Sequence, residues 1–158
     1  MVRDYVMRLV EQVAKLLVSI AAKREAGQHD EARADLNALC QEHAGLTLDF
    51  IKRTSPEGVA EALAAAGALR HARAVLLADL LTLDAGISDD TGRAAEATVA
   101  RLHAFCLLAE SMPMLNRDEQ ATYQPKLDRL RESLRAVSGN PYVQGKLQLH
   151  RTPDAEPR

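Results

Sequence analysis

The sequence predicts an all-α protein, with about six antiparallel helices stacked in one domain. Apolar residues recur at helical spacing, alanine and leucine dominate the composition, and β-branched residues never alternate over the length of a strand. The first segment, residues 2–26, shows the helical pattern over its whole length. Its recurring apolar positions are Val6, Leu9, Val10, Val13, Leu16, Leu17, Ile20 and Ala21.

The apolar surface of this first helix is too wide for a single neighbour. At about 100° per residue, the apolar arc runs from Tyr5 through Val13 and Val10 to Met7 and Val18. It covers roughly 220° of the circumference, whereas a one-sided surface helix needs only about 100°. We therefore expect this helix to be covered from two sides, by the same chain or by a second copy.

Start and stop signals divide the rest of the chain into helices. Three glycines, whose left-handed conformation closes a helix, are expected to act as C-terminal caps: Gly27, Gly45 and Gly86. Ser55-Pro56-Glu57 combines an N-cap hydroxyl, a proline at the first helical position and an acid facing the helix dipole. Asp118 can cap the last helix, and Pro125 should kink that helix or delay its start. The predicted helices after the first cover residues 29–43, 56–66, 69–85, 91–110 and 118–137, with a short helical turn inside 46–53.

The length and composition of the chain argue against several classes of function. The chain of 158 residues is most simply one helical domain over 1–138, followed by an extended or disordered tail over 139–158. The formal charge of −2 and the absence of tryptophan argue against a nucleic-acid partner. No stretch of about 18 uncharged apolar residues is present, so we expect no membrane span. Because the N-terminus enters a charged amphipathic helix with no visible signal peptide, we expect a cytoplasmic, bacterial protein.

Two predicted helical hairpins have the spacing of small and apolar residues that is typical of tetratricopeptide repeats. After the turn at Gly27, Ala32 is the small residue that lets the second helix approach the first, and Leu36 and Leu39 follow it. The helices predicted over 69–85 and 91–110 repeat this pattern with a longer turn. The two hairpins lie about 60 residues apart, rather than the roughly 34 of a tandem array, so we expect a tetratricopeptide-like arrangement without a true repeat.

Three short motifs carry a resemblance to a known family. They are Arg3-Asp4-Tyr5-Val6-Met7-Arg8 with Glu11-Gln12, Gly45-Leu46-Thr47-Leu48-Asp49-Phe50, and Ser55-Pro56-Glu57. In these motifs the chain resembles a family of uncharacterised bacterial helical proteins, in which a D-Y-x-M-R start precedes a tetratricopeptide-like hairpin. The resemblance covers about residues 3–110 and does not extend past Pro113. It implies the fold but no activity.

Two cysteine–histidine pairs form the strongest candidate for a metal site. Cys40 and His43 on the second helix, and His103 and Cys106 on the fifth, each place a thiol one helical turn from an imidazole. If the two pairs converged, they would give a tetrahedral Cys₂His₂ site. Both cysteines also fit the apolar stripes of their helices as small hydrophobic residues. We favour packing and assign no metal or other cofactor.

Four aspartates could supply paired carboxylates for acid–base catalysis: Asp79, Asp84, Asp89 and Asp90. In the alternative interpretation, Asp89 and Asp90 cap a helix and Asp84 is solvated. Asp79 falls among leucines, so it needs a buried partner such as Arg73 or His103. Because no nucleophile elbow and no glycine-rich phosphate loop accompany these residues, we assign no catalytic residue.

Together these observations favour a non-catalytic protein–protein interaction or scaffold protein. Stacked helical hairpins offer a groove to a partner, and the wide apolar surface of the first helix predicts self-association, most simply as a homodimer. The alternative is a metal-binding or small-ligand-binding helical protein built on Cys40, His43, His103 and Cys106. The sequence does not specify the protein partner or the pathway.

Overall fold

The structure, a computed structural model, describes residues 2–135, 144–146 and 148, with the backbone alone for residues 2–7, and its regular elements are all helical. The α-helices are α1 (Val2–Glu25), α2 (His29–Ala44), α3 (Leu48–Arg53), α4 (Pro56–Ala64), α5 (Arg70–Asp90), α6 (Ala94–Ser111) and α7 (Arg117–Ser133). Two short 3₁₀ helices, Gly67–Leu69 and Met112–Met114, lie before α5 and after α6. The predicted all-α class is confirmed for this part of the chain.

The structure changes the predicted number of helices. Seven α-helices, rather than about six, occur within residues 2–135, because the turn expected inside 46–53 is the separate helix α3. Of the predicted tail, 139–158, only residues 144–146 and 148 are described, and these are helical. The rest of that prediction lies outside the described residues.

The centre of the fold is the hairpin formed by α5 and α6. The short connection at 91–93 joins two long helices that pack along their length, so they run antiparallel. Both helices bury alanines, which allow close approach, and large side chains such as Leu77 and Phe105 are fully buried. Helices α1, α2 and α4 pack on α5, and α3, α4 and α7 pack on α6. The other helices are therefore arranged around this hairpin.

Gly86 does not end a helix, and the prediction for this residue is wrong. Helix α5 continues through it to Asp90, and the left-handed residue of the following turn is Gly92, with φ +75°. A Cβ atom at Gly86 would collide with the guanidinium of Arg24, which crosses α5 here. The Arg24 Nε atom lies 2.6 Å from Asp90 Oδ2. Gly86 thus leaves room for the side chain of Arg24, which would have to shift if this residue carried a Cβ atom.

The other local signals act largely as predicted. Gly27 and Gly45 follow α1 and α2 with φ values of +81° and +70°. Ser55 Oγ accepts a hydrogen bond from the Gly58 amide at 3.2 Å, with Pro56 at the first position of α4. The N-cap of α7 is Asn116 rather than Asp118. Pro125 lies inside α7 and does not delay its start, because the helix begins at Arg117.

Candidate functional site

An apolar groove lies between α1, α5 and α7, and we call it the α1 groove. Its volume is about 550 Å³. Its apolar wall on α1 consists of Ala14, Leu17, Val18 and Ala21. The facing wall includes Leu83 of α5 and Leu130 of α7. Both walls come from long helices.

The apolar arc of α1 is only partly covered within the chain. Val13 and Ile20 are buried where α1 packs against α2 and α5. Val18, on the flank that lines the α1 groove, is 71% exposed, and Leu16 is 42% exposed. The Met7 side chain, at the same end of the predicted arc, lies outside the described residues. Helix α1 therefore presents large apolar side chains to solvent.

An ion pair joins α5 to α7 at one end of the α1 groove. Lys126 Nζ lies 3.0 Å from Asp79 Oδ1, and the Tyr123 hydroxyl donates to Asp79 Oδ2 at 3.4 Å. Burial, with a smaller contribution from Asp79, raises the pKa of Tyr123 above its ordinary value, so this hydroxyl remains a donor. The partners of Asp79 are thus Lys126 and Tyr123, and the expectation of Arg73 or His103 is wrong.

The other three aspartates are also paired with cations. Arg24 contacts Asp90, Arg101 contacts Asp89, and Lys52 Nζ lies 2.7 Å from Asp84 Oδ2. Arg24 holds the pKa of Asp90 below its ordinary value, chiefly through their hydrogen bond. These pairs tie helices together, which is a structural use of the carboxylates.

Asp84 is wholly buried, so the interpretation that it is solvated is wrong. Asp84 lies four residues after Leu80 and three before Ile87, so it falls on the stripe of α5 that is buried in the core. A buried carboxylate needs a counter-charge, and α3 supplies it through Lys52. The sequence did not indicate this pairing, because the residues of α3 were expected to form only a short turn.

The structure does not bring the two cysteine–histidine pairs into a metal site. His103 is buried, with Nδ1 lying 2.8 Å from the Val99 carbonyl oxygen and Nε2 lying 2.7 Å from the Thr54 carbonyl oxygen. Both ring nitrogens therefore face oxygens of the backbone, while His43 lies beside Glu42. Within the described residues, no group of three or more histidine, cysteine, aspartate or glutamate side chains could hold a metal ion.

Both cysteines are buried as free thiols, and their reactivity should follow from that burial. Desolvation raises the pKa of Cys40 and of Cys106 to about 12 each. At about pH 8 only roughly one thiol in ten thousand would then be ionised. We expect the folded protein to resist alkylation by iodoacetamide and to take up two groups when denatured, as measured by intact mass. Rapid labelling of either cysteine in the folded state would contradict this environment.

Comparisons with models of protein families, with curated proteins and with solved structures found no match to this chain. The resemblance to the bacterial helical family therefore rests on its three short motifs. None of the described helices combines the length and the apolar character needed to cross a bilayer.

Proposed function

We propose that the chain is a non-catalytic, tetratricopeptide-like interaction protein of the cytoplasm, which self-associates through α1. The observation that carries this proposal is Val18, which is 71% exposed on the rim of the α1 groove. Large apolar side chains that border a concave apolar surface are typical of protein interaction sites. The buried free thiols are compatible with a reducing compartment.

A second copy of the same helix is a suitable occupant of the α1 groove. In an antiparallel pair of α1 helices, the same surface faces itself across a two-fold axis. If the axis passes near Leu16 and Leu17, Arg8 of one protomer lies opposite Glu25 of its partner. Opposite charges would then flank the apolar centre at both ends, and Val18 would be covered in both protomers.

Replacing Val18 with aspartate tests self-association. We expect the wild-type protein to have twice its 17.2 kDa chain mass at micromolar concentration, as measured by native mass spectrometry or sedimentation equilibrium. Val18→Asp should weaken the dimer by at least about tenfold, because a charge would be buried in an apolar interface. The substitution should leave the monomer fold intact, since the Val18 side chain is exposed.

The matched control is Met114→Asp. Met114 is 65% exposed in the 3₁₀ helix Met112–Met114 and does not line the α1 groove. Met114→Asp therefore introduces the same charge in place of a comparably exposed apolar side chain elsewhere on the protein. A wild-type protein that remains monomeric up to about 100 µM would contradict the proposal, because the dissociation constants of stable homodimers lie well below that concentration. Equal weakening of the dimer by both substitutions would place the interface outside the α1 groove.

The metal-binding alternative has less support from the geometry. It requires Cys40, His43, His103 and Cys106 to converge, whereas both ring nitrogens of His103 already lie at hydrogen-bonding distance from carbonyl oxygens.

A further inference from the structure

A second cavity, of about 490 Å³, lies between α2, α3, α5 and the start of α6, and we call it the polar pocket. It shares no lining residue with the α1 groove. Its volume falls in the range of about 300–1,000 Å³ that is typical of small-molecule sites. Unlike the α1 groove, it is lined mainly by charged side chains, which come from all four helical segments.

The charges that line the polar pocket do not balance. Its three acidic residues each have a basic neighbour: Asp84 with Lys52 at 2.7 Å, Asp49 with Arg53 at 3.2 Å, and Glu96 with Arg93 at 3.9 Å. Arg33 is the fourth basic residue of the lining, and within the described residues no acidic side chain lies within ion-pair distance of it. The pocket thus has one more basic group than acidic groups.

The guanidinium of Arg33 has buried hydrogen-bond donors that lack acceptors within the part of the chain that the structure describes. Its Nε and Nη2 atoms are buried, and neither has a hydrogen-bond partner among the described residues. Nε–H and Nη2–H lie on the same edge of the guanidinium and point in parallel, which is the arrangement that binds both oxygens of a carboxylate or phosphate. A buried donor without an acceptor is costly, so a fold that retains one is expected to use it.

Asp84 supplies a second, complementary observation. This side chain is wholly buried and lines the polar pocket, yet neither of its carboxylate oxygens has a well-aligned hydrogen bond within the described residues. Lys52 balances its charge at 2.7 Å without making such a bond. An ionised carboxylate can accept several hydrogen bonds, so Asp84 can accept one from a ligand in addition to its contact with Lys52.

We propose that the polar pocket binds a small organic molecule carrying an oxyanion, either carboxylate or phosphate, together with a hydroxyl or ammonium group. The oxyanion binds the Nε–Nη2 edge of Arg33, and the hydroxyl or ammonium donates to Asp84. This assignment accounts for the unpartnered atoms of Arg33 and Asp84. Among the described residues, Ser88 Oγ is also buried without a hydrogen-bond partner. It is independent of self-association through α1.

Thermal unfolding of the full chain with simple probes tests the proposal. The probes are acetate and inorganic phosphate, each compared with sodium chloride at equal ionic strength, and glycine, which has no net charge and is compared with buffer alone. We expect acetate or phosphate to raise the unfolding midpoint, by about 5 °C at ten times its dissociation constant. The probe that acts identifies the oxyanion, and a larger shift with glycine than with acetate supports the contact with Asp84. No shift with any probe would overturn the proposal, and no gain with glycine would overturn the role of Asp84.

Substitutions of Arg33 separate binding from a structural role. Arg33→Met should abolish the probe-dependent shift while leaving the midpoint without probe unchanged or higher, because it removes a buried charge that has no partner. Arg33→Lys keeps the charge but lacks the paired Nε–H and Nη2–H donors. The probe should therefore raise the unfolding midpoint of this variant less than that of the wild type. Arg135→Gln, at an exposed ion pair with Glu132, is the control and should respond like the wild type. An undiminished shift in Arg33→Met, or a lower midpoint of that variant without probe, would overturn the assignment.

Discussion

Replacing Lys52 with methionine is expected to lower the free energy of unfolding by about 3–5 kcal/mol. Lys52 Nζ lies 2.7 Å from Asp84, whose side chain is wholly inaccessible to solvent. Methionine fills a similar volume but leaves the carboxylate without its nearest counter-charge. Urea denaturation followed by far-ultraviolet circular dichroism measures the change, provided that the slope against denaturant is unchanged.

The neighbouring residue provides a matched control for this prediction. Arg53 lies on the same short helix and also forms an ion pair, with Asp49 at 3.2 Å, but both side chains are more than 70% exposed. Arg53→Gln should therefore change stability by less than about 0.5 kcal/mol. A loss below about 1 kcal/mol for Lys52→Met would mean that another group balances the charge of the Asp84 carboxylate.

A double substitution shows whether the loss comes from the isolated charge. Lys52→Met combined with Asp84→Leu removes both members of the pair and leaves an apolar contact at the same place. The double variant should recover at least half of the stability that Lys52→Met loses, because an apolar pair avoids the desolvation cost. If it is instead less stable than Lys52→Met, the carboxylate itself makes favourable contacts.

Local signals explain why much of the fold could be predicted from the sequence. Gly27, Gly45 and Ser55-Pro56 act through atoms within a few residues of themselves, so their roles do not depend on distant contacts. Gly86 looked equivalent, but its role is set by Arg24, which lies about 60 residues earlier in the chain. Glycine required for close approach and glycine required for a turn have the same appearance in a single sequence.

The sequence indicated the α1 groove more clearly than the polar pocket. The exposed flank of α1 follows from the width of its apolar arc, which is a property of one helix. The polar pocket depends on where α3 lies against α5, and no local pattern specifies that contact. One signal was available, because Asp84 continues the three- and four-residue spacing of Leu77, Leu80 and Leu81 within the helix that the sequence predicts.

His103→Ala is expected to lower the free energy of unfolding by about 2–4 kcal/mol, because it opens a cavity and removes a buried hydrogen-bonding ring. The imidazole connects α6 to Thr54, the C-cap residue of α3, through the Thr54 carbonyl oxygen at 2.7 Å. His103→Leu retains most of the volume and should cost only about 1–2 kcal/mol, so the difference measures the cavity. Urea denaturation provides both values.

The same measurement distinguishes a structural histidine from a metal ligand. If His103 acts through its two carbonyl contacts, EDTA will leave the wild-type unfolding midpoint unchanged, and His43→Gln will cost less stability than His103→Leu, because the ion-pair contact of His43 is with Glu42 of its own helix. If the cysteine–histidine pairs instead hold a metal, EDTA should destabilise the wild type, and His43→Gln and His103→Leu should cause similar losses, because removing either ligand opens the same site. The ratio of the two losses therefore separates these roles even when the overall stability of the preparation is unknown.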